Sequence, residues 1–212
     1  MFYGKVRYSK IDLGTEDKIA NLKFIFLYNK TNGHFTEKED YSPASLPQFQ
    51  TALTITFTKM NIEIRKAKEI EINTLLDFEK SIIEVERHFD NTLKDSEIHY
   101  YDLIELINSE KAEVLVAVLN NEIVGSGYAK ILPAKNYQKY NEYAYLGFMY
   151  VKPEFRGQGI NRQILKKLIE WTKDKNLIEV RLQVYNENLT AKNAYLKAGF
   201  KANFLEMRME IS

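Results

Sequence analysis

The sequence predicts a mixed α/β domain that follows a β-rich N-terminal extension. Two observations carry this prediction. From residue 61 onward, short runs with the two-residue periodicity of strands alternate with runs of helical periodicity. In the middle of this region, an aromatic and β-branched run at 143–151 leads through a glycine turn into an amphipathic pattern, as expected for a strand followed by a helix.

Composition excludes several classes of protein and of site. The chain has no cysteine, which excludes disulfides, thiol nucleophiles and cysteine metal sites. Its 30 basic and 29 acidic residues give a net charge of +1, so the overall charge favours neither nucleic acid nor a membrane as a partner. No apolar run reaches about 18 residues, and the first residues lack the layout of a signal peptide. We therefore expect a cytoplasmic protein.

Residues 1–60 form the predicted extension, and the sequence leaves its role open. A small β unit that packs on the main domain or on a second subunit is favoured over a separate ligand-binding role. His34 is assigned to a loop and given no function. Strand-like runs separated by turn residues lie at 2–8, 22–28 and 52–58.

The second unit begins with a predicted strand at 61–65 and predicted helices at 70–88 and 99–107. His88 and His99 lack a metal-ligand partner at a recognisable spacing, so no metal site is expected. The charged residues within these helices are interpreted as solvent-exposed; they are Glu71, Asp77, Glu79, Lys80, Glu84, Glu86 and Arg87.

Further elements flank the central strand and helix. Two apolar runs at 113–119 and 122–131 are joined by an Asn-Asn turn, which predicts a β-hairpin. After the central helix, the pattern predicts a strand at 178–184, a helix at 188–199 and a closing strand at 200–211.

The glycine turn carries the chemical signal of the central unit. The first N–H groups of a helix have no partner within the helix and carry the positive end of its dipole, so they attract phosphate. Gly157 and Gly159 allow unusual dihedrals and a close approach to the main chain, and Arg156 supplies a cation. For this stretch alone, a plain turn between a strand and a helix is the alternative interpretation.

The sequence resembles the GNAT acetyltransferase superfamily over residues 61–212, and its pattern is closest to ribosomal-protein-alanine-acetyltransferase-like members. The run 151–160, VKPEFRGQGI, is similar to the family's coenzyme A pyrophosphate loop, R/Q-x-x-G-x-G/A. The run 188–200, NLTAKNAYLKAGF, resembles the family's N-x-x-A-x-x-x-Y-x-x-x-G-F segment, and 121–125, NEIVG, resembles the hairpin before the cofactor strand. A nucleotide-binding P-loop is excluded because no Lys-Ser/Thr follows the glycines.

The resemblance implies the GNAT fold, in which a mixed, mostly antiparallel central sheet is splayed at the cofactor strand and carries helices on both faces. It also implies acetyl-CoA as the cosubstrate, without a metal. Main-chain groups of Met149, Tyr150 and Val151 would hydrogen-bond the pantetheine arm and the acetyl carbonyl. The pyrophosphate would be held by the residues that follow this strand, namely Arg156, Gly157, Gln158, Gly159, Ile160, Asn161 and Arg162.

By the same resemblance, Tyr195 would be catalytic and would protonate the departing thiolate. Asn188 would contact the cofactor; N-capping of a helix is its alternative role, and its side chain can serve both. The family has a small residue where this chain has Asn161, whose side chain must point away from the phosphates or replace a water. Many relatives dimerise, so the resemblance is compatible with a homodimer.

The general base departs from the family pattern. Relatives that act on protein amines often carry a glutamate at one of two positions, which are Gln183 and Tyr145 here. Deprotonating a lysine-like amine at pH 7 costs about 4.6 kcal/mol, against about 1 kcal/mol for an α-amine. The missing carboxylate therefore favours an α-amine, another amine of low pKa, or deprotonation through water. Candidates for a displaced base are Glu142, Glu113 and His99.

The predicted function is transfer of an acetyl group from acetyl-CoA to a primary amine by direct attack in a ternary complex. The acceptor would be a small molecule, an amino acid, or an amine of a peptide or protein, and the sequence does not name it. A non-catalytic acyl-CoA-binding or interaction module is the alternative. A third interpretation keeps the enzyme but changes the acyl group or makes the acceptor a hydroxyl.

Overall fold

The structure is a computed structural model that describes residues 61–211 in full and, before them, the backbone of three strands. The chain divides into two compact units, Met1–Asn61 and Ile62–Ser212. All of the predicted site residues lie in the second unit.

The described strands of the first unit form an antiparallel sheet in the order β2-β1-β3. The strands predicted at 22–28 and 52–58 are confirmed to within a few residues, whereas 2–8 lies outside the described residues. The assignment of His34 to a loop was wrong, because antiparallel pairing with Asn29 makes it the first residue of a strand. The three strands are β1 (Lys23–Asn29), β2 (His34–Lys38) and β3 (Phe49–Thr56).

The second unit is built on a five-stranded sheet in the order β4-β5-β6-β7-β8. The first four strands are antiparallel neighbours, and β8 runs parallel to β7. Asn120 and Asn121 adopt φ of 49° and 65°, as the predicted tight turn of the β5–β6 hairpin requires. The predicted mixed, mostly antiparallel sheet is confirmed. Its strands are β4 (Glu63–Lys66), β5 (Ala112–Leu119), β6 (Glu122–Pro133), β7 (Glu142–Val151) and β8 (Val180–Leu182).

Helices cover both faces of this sheet. Alternate residues of β5 separate the two cores, since Val114 and Val116 belong to the core under α1 and α2, whereas Leu115 and Ala117 belong to the core under α3. No helix of the described residues combines the length and the apolar character needed to cross a membrane. The helices are α1 (Ile72–Glu86), α2 (Leu103–Asn108), α3 (Ile160–Asp174) and α4 (Leu189–Lys197).

A β-bulge interrupts the pairing of β7 with β6. Tyr128 lies opposite Gly147 and Ser126 lies opposite Tyr150, so three steps along β7 match two steps along β6. Phe148, inside the bulge, has φ of 57°, which is an outlier for an aromatic residue. The extra residue reverses the alternation of β7. Tyr150 therefore joins Phe148 on the α1 side of the sheet.

The second predicted helix starts later than expected. The sequence predicts a helix from residue 99, but α2 begins at Leu103. The side chain of Asp102 accepts a hydrogen bond from the Glu105 N–H and caps the helix at that point. The N–H groups of Tyr100 and Tyr101 donate to a side chain of α1 instead of entering a helix. This tertiary contact overrides the local helical pattern.

The closing strand predicted at 200–211 was wrong. These residues carry no regular secondary structure, and they are exposed apart from Phe200. The sheet ends at β8, which has only three residues in place of the predicted 178–184. So short an edge offers few backbone groups for a further strand. Arg208 anchors the segment, because its guanidinium lies 2.9 Å from the Asp90 carboxylate just beyond α1 and donates to the Thr92 hydroxyl at 3.2 Å.

Gly147 is a close-approach position beside the bulge, and its substitution is expected to destabilise the domain. A Cβ at this residue would lie 2.5 Å from the ring of Tyr128, which is 2% exposed and has no room to shift. We expect Gly147→Ala to lower the free energy of unfolding by about 1–3 kcal/mol, as overpacking does. Urea denaturation followed by circular dichroism measures this. The loss should shrink when Tyr128→Leu removes the ring; an equal loss in both backgrounds would contradict the packing explanation.

Candidate active site

The sheet splays beyond the middle of β7. β8 pairs with β7 only from Ala144 to Leu146. Within the described residues, no strand pairs with that edge of β7 from Gly147 onward. The predicted cofactor residues Met149 to Val151 lie on this segment, which keeps β6 as its neighbour on the other edge. Backbone groups of the open edge are thus available to an extended ligand.

The predicted phosphate loop has the backbone that phosphate binding needs. Gly157 and Gly159 have φ of 77° and 76°, in the left-handed region that favours glycine. A Cβ at either position would meet nothing within 4 Å, so the main chain is open to approach. Gly159 is the N-cap of α3, and this 15-residue helix directs its positive end at the loop. This geometry fits a pyrophosphate.

The side chains of the loop are divided between anchoring it and facing solvent. Ile160 is 1% exposed in the core under α3 and fixes the start of the helix. The Arg156 Nε donates to the Val151 carbonyl at 3.0 Å, which ties the loop to the end of β7. Gln158 and Arg162 are exposed, and Asn161 is partly buried. The residues predicted to bind the cofactor from 156 to 162 are therefore adjacent in space as well as in sequence.

Asn188 caps α4 as its alternative role predicts. Its Oδ1 accepts a hydrogen bond from the Ala191 N–H at 3.1 Å. The cap uses the oxygen, and the amide nitrogen keeps its two donor hydrogens for other partners. Gly199, with φ of 97°, ends the helix as predicted.

Tyr195 lies on α4 and is partly buried. Its ring packs against the core under α3 and lies edge-on to Phe200, with ring centroids 6.0 Å apart. Burial, together with the negative charge of Glu86 and the proximity of Tyr145, raises the pKa of Tyr195 to about 12. The hydroxyl therefore keeps its proton at neutral pH, as a general acid requires.

Tyr145 and Gln183 occupy the two positions where the resemblance leads one to expect a base, and their side chains are hydrogen-bonded to each other. The Tyr145 hydroxyl donates to the Gln183 Oε1 at 3.2 Å. Burial raises the pKa of Tyr145, so this tyrosine does not ionise near neutral pH. Neither side chain can serve as a base there.

The three displaced candidates are engaged or distant. Glu113 forms an ion pair of 2.8 Å with Lys66 of the neighbouring strand. His99 donates to Glu79, which raises the pKa of the imidazole, so the ring is engaged and holds its proton more strongly. Glu142 is the exposed first residue of β7, whereas the open edge lies at the other end of that strand.

One buried carboxylate was misinterpreted from the sequence. Glu79 of α1 is 1% exposed, not on a solvated face. It accepts hydrogen bonds from the Tyr100 N–H at 2.7 Å, the Tyr101 N–H at 2.9 Å and the His99 Nδ1 at 2.8 Å. These bonds hold the segment before α2 against α1. The helical spacing of Glu79 from the apolar Leu75 was the available signal.

A second carboxylate, Glu86, was misinterpreted in the same way. It is the last residue of α1 and is partly buried. The negative charge of Glu86 contributes to the raised pKa of tyrosines in four separate parts of the structure. It continues the stripe of α1 that faces the sheet, which consists of Leu75, Phe78, Glu79, Ile82, Ile83 and Glu86.

Comparison with known proteins relates this chain to a group of acetyltransferases. The Acetyltransferase (GNAT) family model matches residues 79–200, more than half of the chain. Thialysine N-epsilon-acetyltransferase of Bos taurus is 46% identical over 55 residues, which are 26% of this chain and 32% of that enzyme. The chain thus covers about a third of this curated relative's length.

Two further proteins extend the likeness over most of the second unit. An uncharacterised N-acetyltransferase of Archaeoglobus fulgidus is 27% identical over 142 residues, which are 63% of this chain and 89% of that protein. The crystal structure of a predicted acetyltransferase from Clostridium acetobutylicum with acetyl-CoA has a TM-score of 0.57 and 22% identity. It covers 69% of this chain and 96% of that one. The structural likeness shows the shared fold.

Removal of the Glu79 carboxylate should weaken the domain strongly. Glu79→Ala leaves two buried backbone N–H groups without an acceptor, so we expect a loss of about 3 kcal/mol in the free energy of unfolding. Urea denaturation measures the loss. Glu84→Ala is the matched control, since Glu84 is exposed on the same helix and its side chain pairs, among residues 61–211, with Arg87 alone at 3.5 Å; we expect a change within about 0.5 kcal/mol. Similar losses in the two variants would refute the structural role of Glu79.

Proposed function

The chain belongs to the acetyltransferase (GNAT) family, and on this basis we propose that it transfers an acetyl group from acetyl-CoA to a primary amine by direct attack in a ternary complex. The observation that carries the proposal is the backbone of Gly157 and Gly159. Both residues adopt the left-handed conformation in the loop between the end of β7 and the start of α3. Relatives that match this chain are named N-acetyltransferases, which supports its assignment as an acyltransferase.

In the proposed complex, the open edge of β7 binds the pantetheine arm. Backbone groups of Met149, Tyr150 and Val151 hydrogen-bond this arm and polarise the thioester carbonyl. Stabilisation of the negative charge that develops on a carbonyl oxygen is commonly the largest single contribution to catalysis. The pyrophosphate lies on the N–H groups at the start of α3, and Asn188 contributes a side-chain contact. The cosubstrate supplies an activated acetyl group and needs no covalent enzyme intermediate.

Tyr195 is the proposed general acid. Its hydroxyl gives a proton to the departing thiolate and regains one from the amine nitrogen after the new C–N bond has formed. The pKa of about 12 supports this role, because the side chain is protonated over the whole physiological range. Tyr145 and Gln183 do not act as the base in this scheme.

The acceptor class follows from the cost of deprotonation. With neither family position occupied by a carboxylate, an α-amine or a small amine of low pKa is favoured over a lysine side chain. An α-amine acceptor would also support the subgroup that the sequence pattern resembles, the ribosomal-protein-alanine-acetyltransferase-like members. This subgroup assignment stays a prediction.

Acetyl-CoA binding tests the proposed cosubstrate directly. We expect calorimetric titration to give a dissociation constant in the micromolar range, about −8 kcal/mol of binding free energy. Gly159→Glu places a carboxylate at the phosphate site and should weaken binding by at least about 10-fold, because like charges repel.

Gly199→Glu is the matched control for this titration. Gly199 also has a positive φ, 97°, and open space around a Cβ, so it shares the charge change and the backbone strain but lies at the far end of α4. The control should bind acetyl-CoA like the parent chain. Failure of the parent chain to bind acetyl-CoA, longer acyl-CoAs or coenzyme A would refute the proposed function.

Turnover tests the role of Tyr195. Because the chain has no cysteine, a thiol reagent reports only the coenzyme A released during an amine screen. Tyr195→Phe should lower kcat by about 10²-fold through loss of the general acid and leave the KM for acetyl-CoA nearly unchanged. Tyr137→Phe is the control, since that ring is 77% exposed. An unchanged kcat in Tyr195→Phe would assign the proton donor elsewhere.

A further inference from the structure

Glu86 is a partly buried carboxylate without a cationic partner. Among the described residues, no lysine or arginine forms an ion pair with it, although Glu71, Glu79, Glu84 and Asp90 on or beside α1 all have partners. Burial raises the pKa of Glu86 above its ordinary range, which is the sign of a carboxylate that lacks compensating charge. Carboxylates perturbed in this way cluster at functional sites.

The position of Glu86 places it on the side of α1 that faces the open strand. It lies seven and eight residues beyond Glu79 and Phe78, on the same face of the helix. Phe78 packs against Tyr150 of the open edge, with ring centroids 4.6 Å apart. One turn beyond Glu86, the Phe89 ring stacks on Tyr185 at 5.9 Å. Glu86 therefore lies on the helix between two residues that contact the open strand and the segment that follows β8.

Tyrosine rings and few charges surround this carboxylate. The Tyr100 hydroxyl interacts with the Glu86 carboxylate and lowers its pKa, against the larger effect of burial. In the described part of the chain, this hydroxyl is buried and makes no hydrogen bond of regular geometry. The hydroxyl faces the Glu86 carboxylate, so it is a donor that a ligand at this carboxylate would share. The titratable and charged groups around Glu86 are Arg87 and Asp90 at the end of α1, Tyr100 and Tyr101 before α2, Tyr145 of β7, Tyr185 after β8, Tyr195 of α4, and Arg208 through Asp90.

We propose that Glu86 binds the ammonium group of the acceptor and accepts a proton from it, which makes Glu86 the general base of this site. The inference rests on the proposed acetyl transfer and assigns the base that the sequence lacks at its usual positions. Glu86 supplies the negative charge, and the aromatic rings around it favour a cation through their negative faces.

The proton and bond balance of the step is complete. One ammonium proton passes to the Glu86 carboxylate and leaves a neutral amine. The amine nitrogen attacks the thioester carbonyl carbon; its C–N bond forms as the C–S bond breaks. The Tyr195 hydroxyl gives its proton to the sulfur and recovers one from the acylated nitrogen, while Glu86 returns its proton to solvent.

The same surroundings define the class of acceptor. The neighbouring carboxylate, Asp90, already accepts hydrogen bonds from Arg208 at 2.9 Å and Tyr185 at 3.3 Å. Glu86 is thus the carboxylate that remains for an ammonium at this end of α1. The site suits a primary amine that carries one positive charge beside an apolar or aromatic group, in preference to a polycation.

Binding of phenethylammonium, a monocation with an aromatic group, tests the proposal without turnover. Calorimetric titration of the full chain at pH 7 should show binding that weakens at least 10-fold in Glu86→Gln. Glu84→Gln, an exposed position two residues earlier on the same helix, should bind like the parent chain. Absence of phenethylammonium binding to the parent chain, or equal binding by Glu86→Gln, would overturn the proposal.

The dependence on pH separates a base from a structural residue. Since the folded pKa of Glu86 is raised, its ionised form destabilises the fold above the pKa of the unfolded chain, so Glu86→Gln should be at least as stable as the parent at pH 7. Phenethylammonium binding to the parent should fall as acid protonates Glu86, at a pH above the ordinary glutamate value of about 4.3. This acid limb should vanish in Glu86→Gln; its persistence there would assign the limb to another group.

Acetyl-CoA titration of the same variants separates the two proposals. Glu86→Gln should keep the acetyl-CoA affinity of the parent, because the phosphate loop begins α3 on the opposite face of the sheet from α1. Phenethylammonium binding that depends on Glu86, in a chain that does not bind acetyl-CoA, would support the cation site and refute the acetyl transfer. Loss of acetyl-CoA affinity in Glu86→Gln would instead give Glu86 a structural role and overturn its assignment as the base.

Discussion

The change of neighbours along β7 is the constraint on which the site depends. At Ala144–Leu146 the strand is paired on both edges, whereas beyond Gly147 it keeps only β6. The bulge marks this transition, and Phe148 holds it with a backbone conformation that an aromatic residue rarely adopts. The open edge arises because β8 ends after three residues and not because β7 is irregular. The helices on both faces thus flank one stretch of backbone that is unpaired on one edge.

Glu79, which is buried, and Glu86, which is partly buried, show how hydrogen bonding decides the role of a charge on α1. Glu79 receives three hydrogen bonds, and its charge is used to build the segment that precedes α2. Glu86 occupies the same stripe two turns later, but Tyr100 is the one side chain among the described residues that acts on it as a hydrogen-bond donor. A buried charge whose hydrogen bonds are all made contributes to the structure. A buried charge that lacks such partners destabilises the fold unless a ligand supplies them. The fold thus tolerates an energetic cost beside the open strand.

Local patterns predicted much of this fold, and tertiary contacts account for the rest. The hairpin, the glycine turn, α3 and the N-cap of α4 follow from residues adjacent in sequence. The start of α2 is marked locally by the Asp102 cap, but the non-helical path of residues 99–101 depends on Glu79, some 20 residues away. The alternation at 200–211 is typical of a strand, but a strand also needs an edge to pair with. The burial of Glu86 became visible only when its stripe could be placed against the sheet.

Burial has opposite chemical consequences for the two groups that would move protons. Desolvation disfavours the charged form of both side chains, so it raises the pKa of Tyr195 and of Glu86. For the tyrosine, a higher pKa keeps the proton available to a leaving thiolate. For the glutamate, a higher pKa makes the carboxylate a stronger base, nearer to the strength needed to take a proton from an ammonium. The tyrosine-rich surroundings of the open strand therefore suit an acid and a base at once, without a metal ion or a histidine.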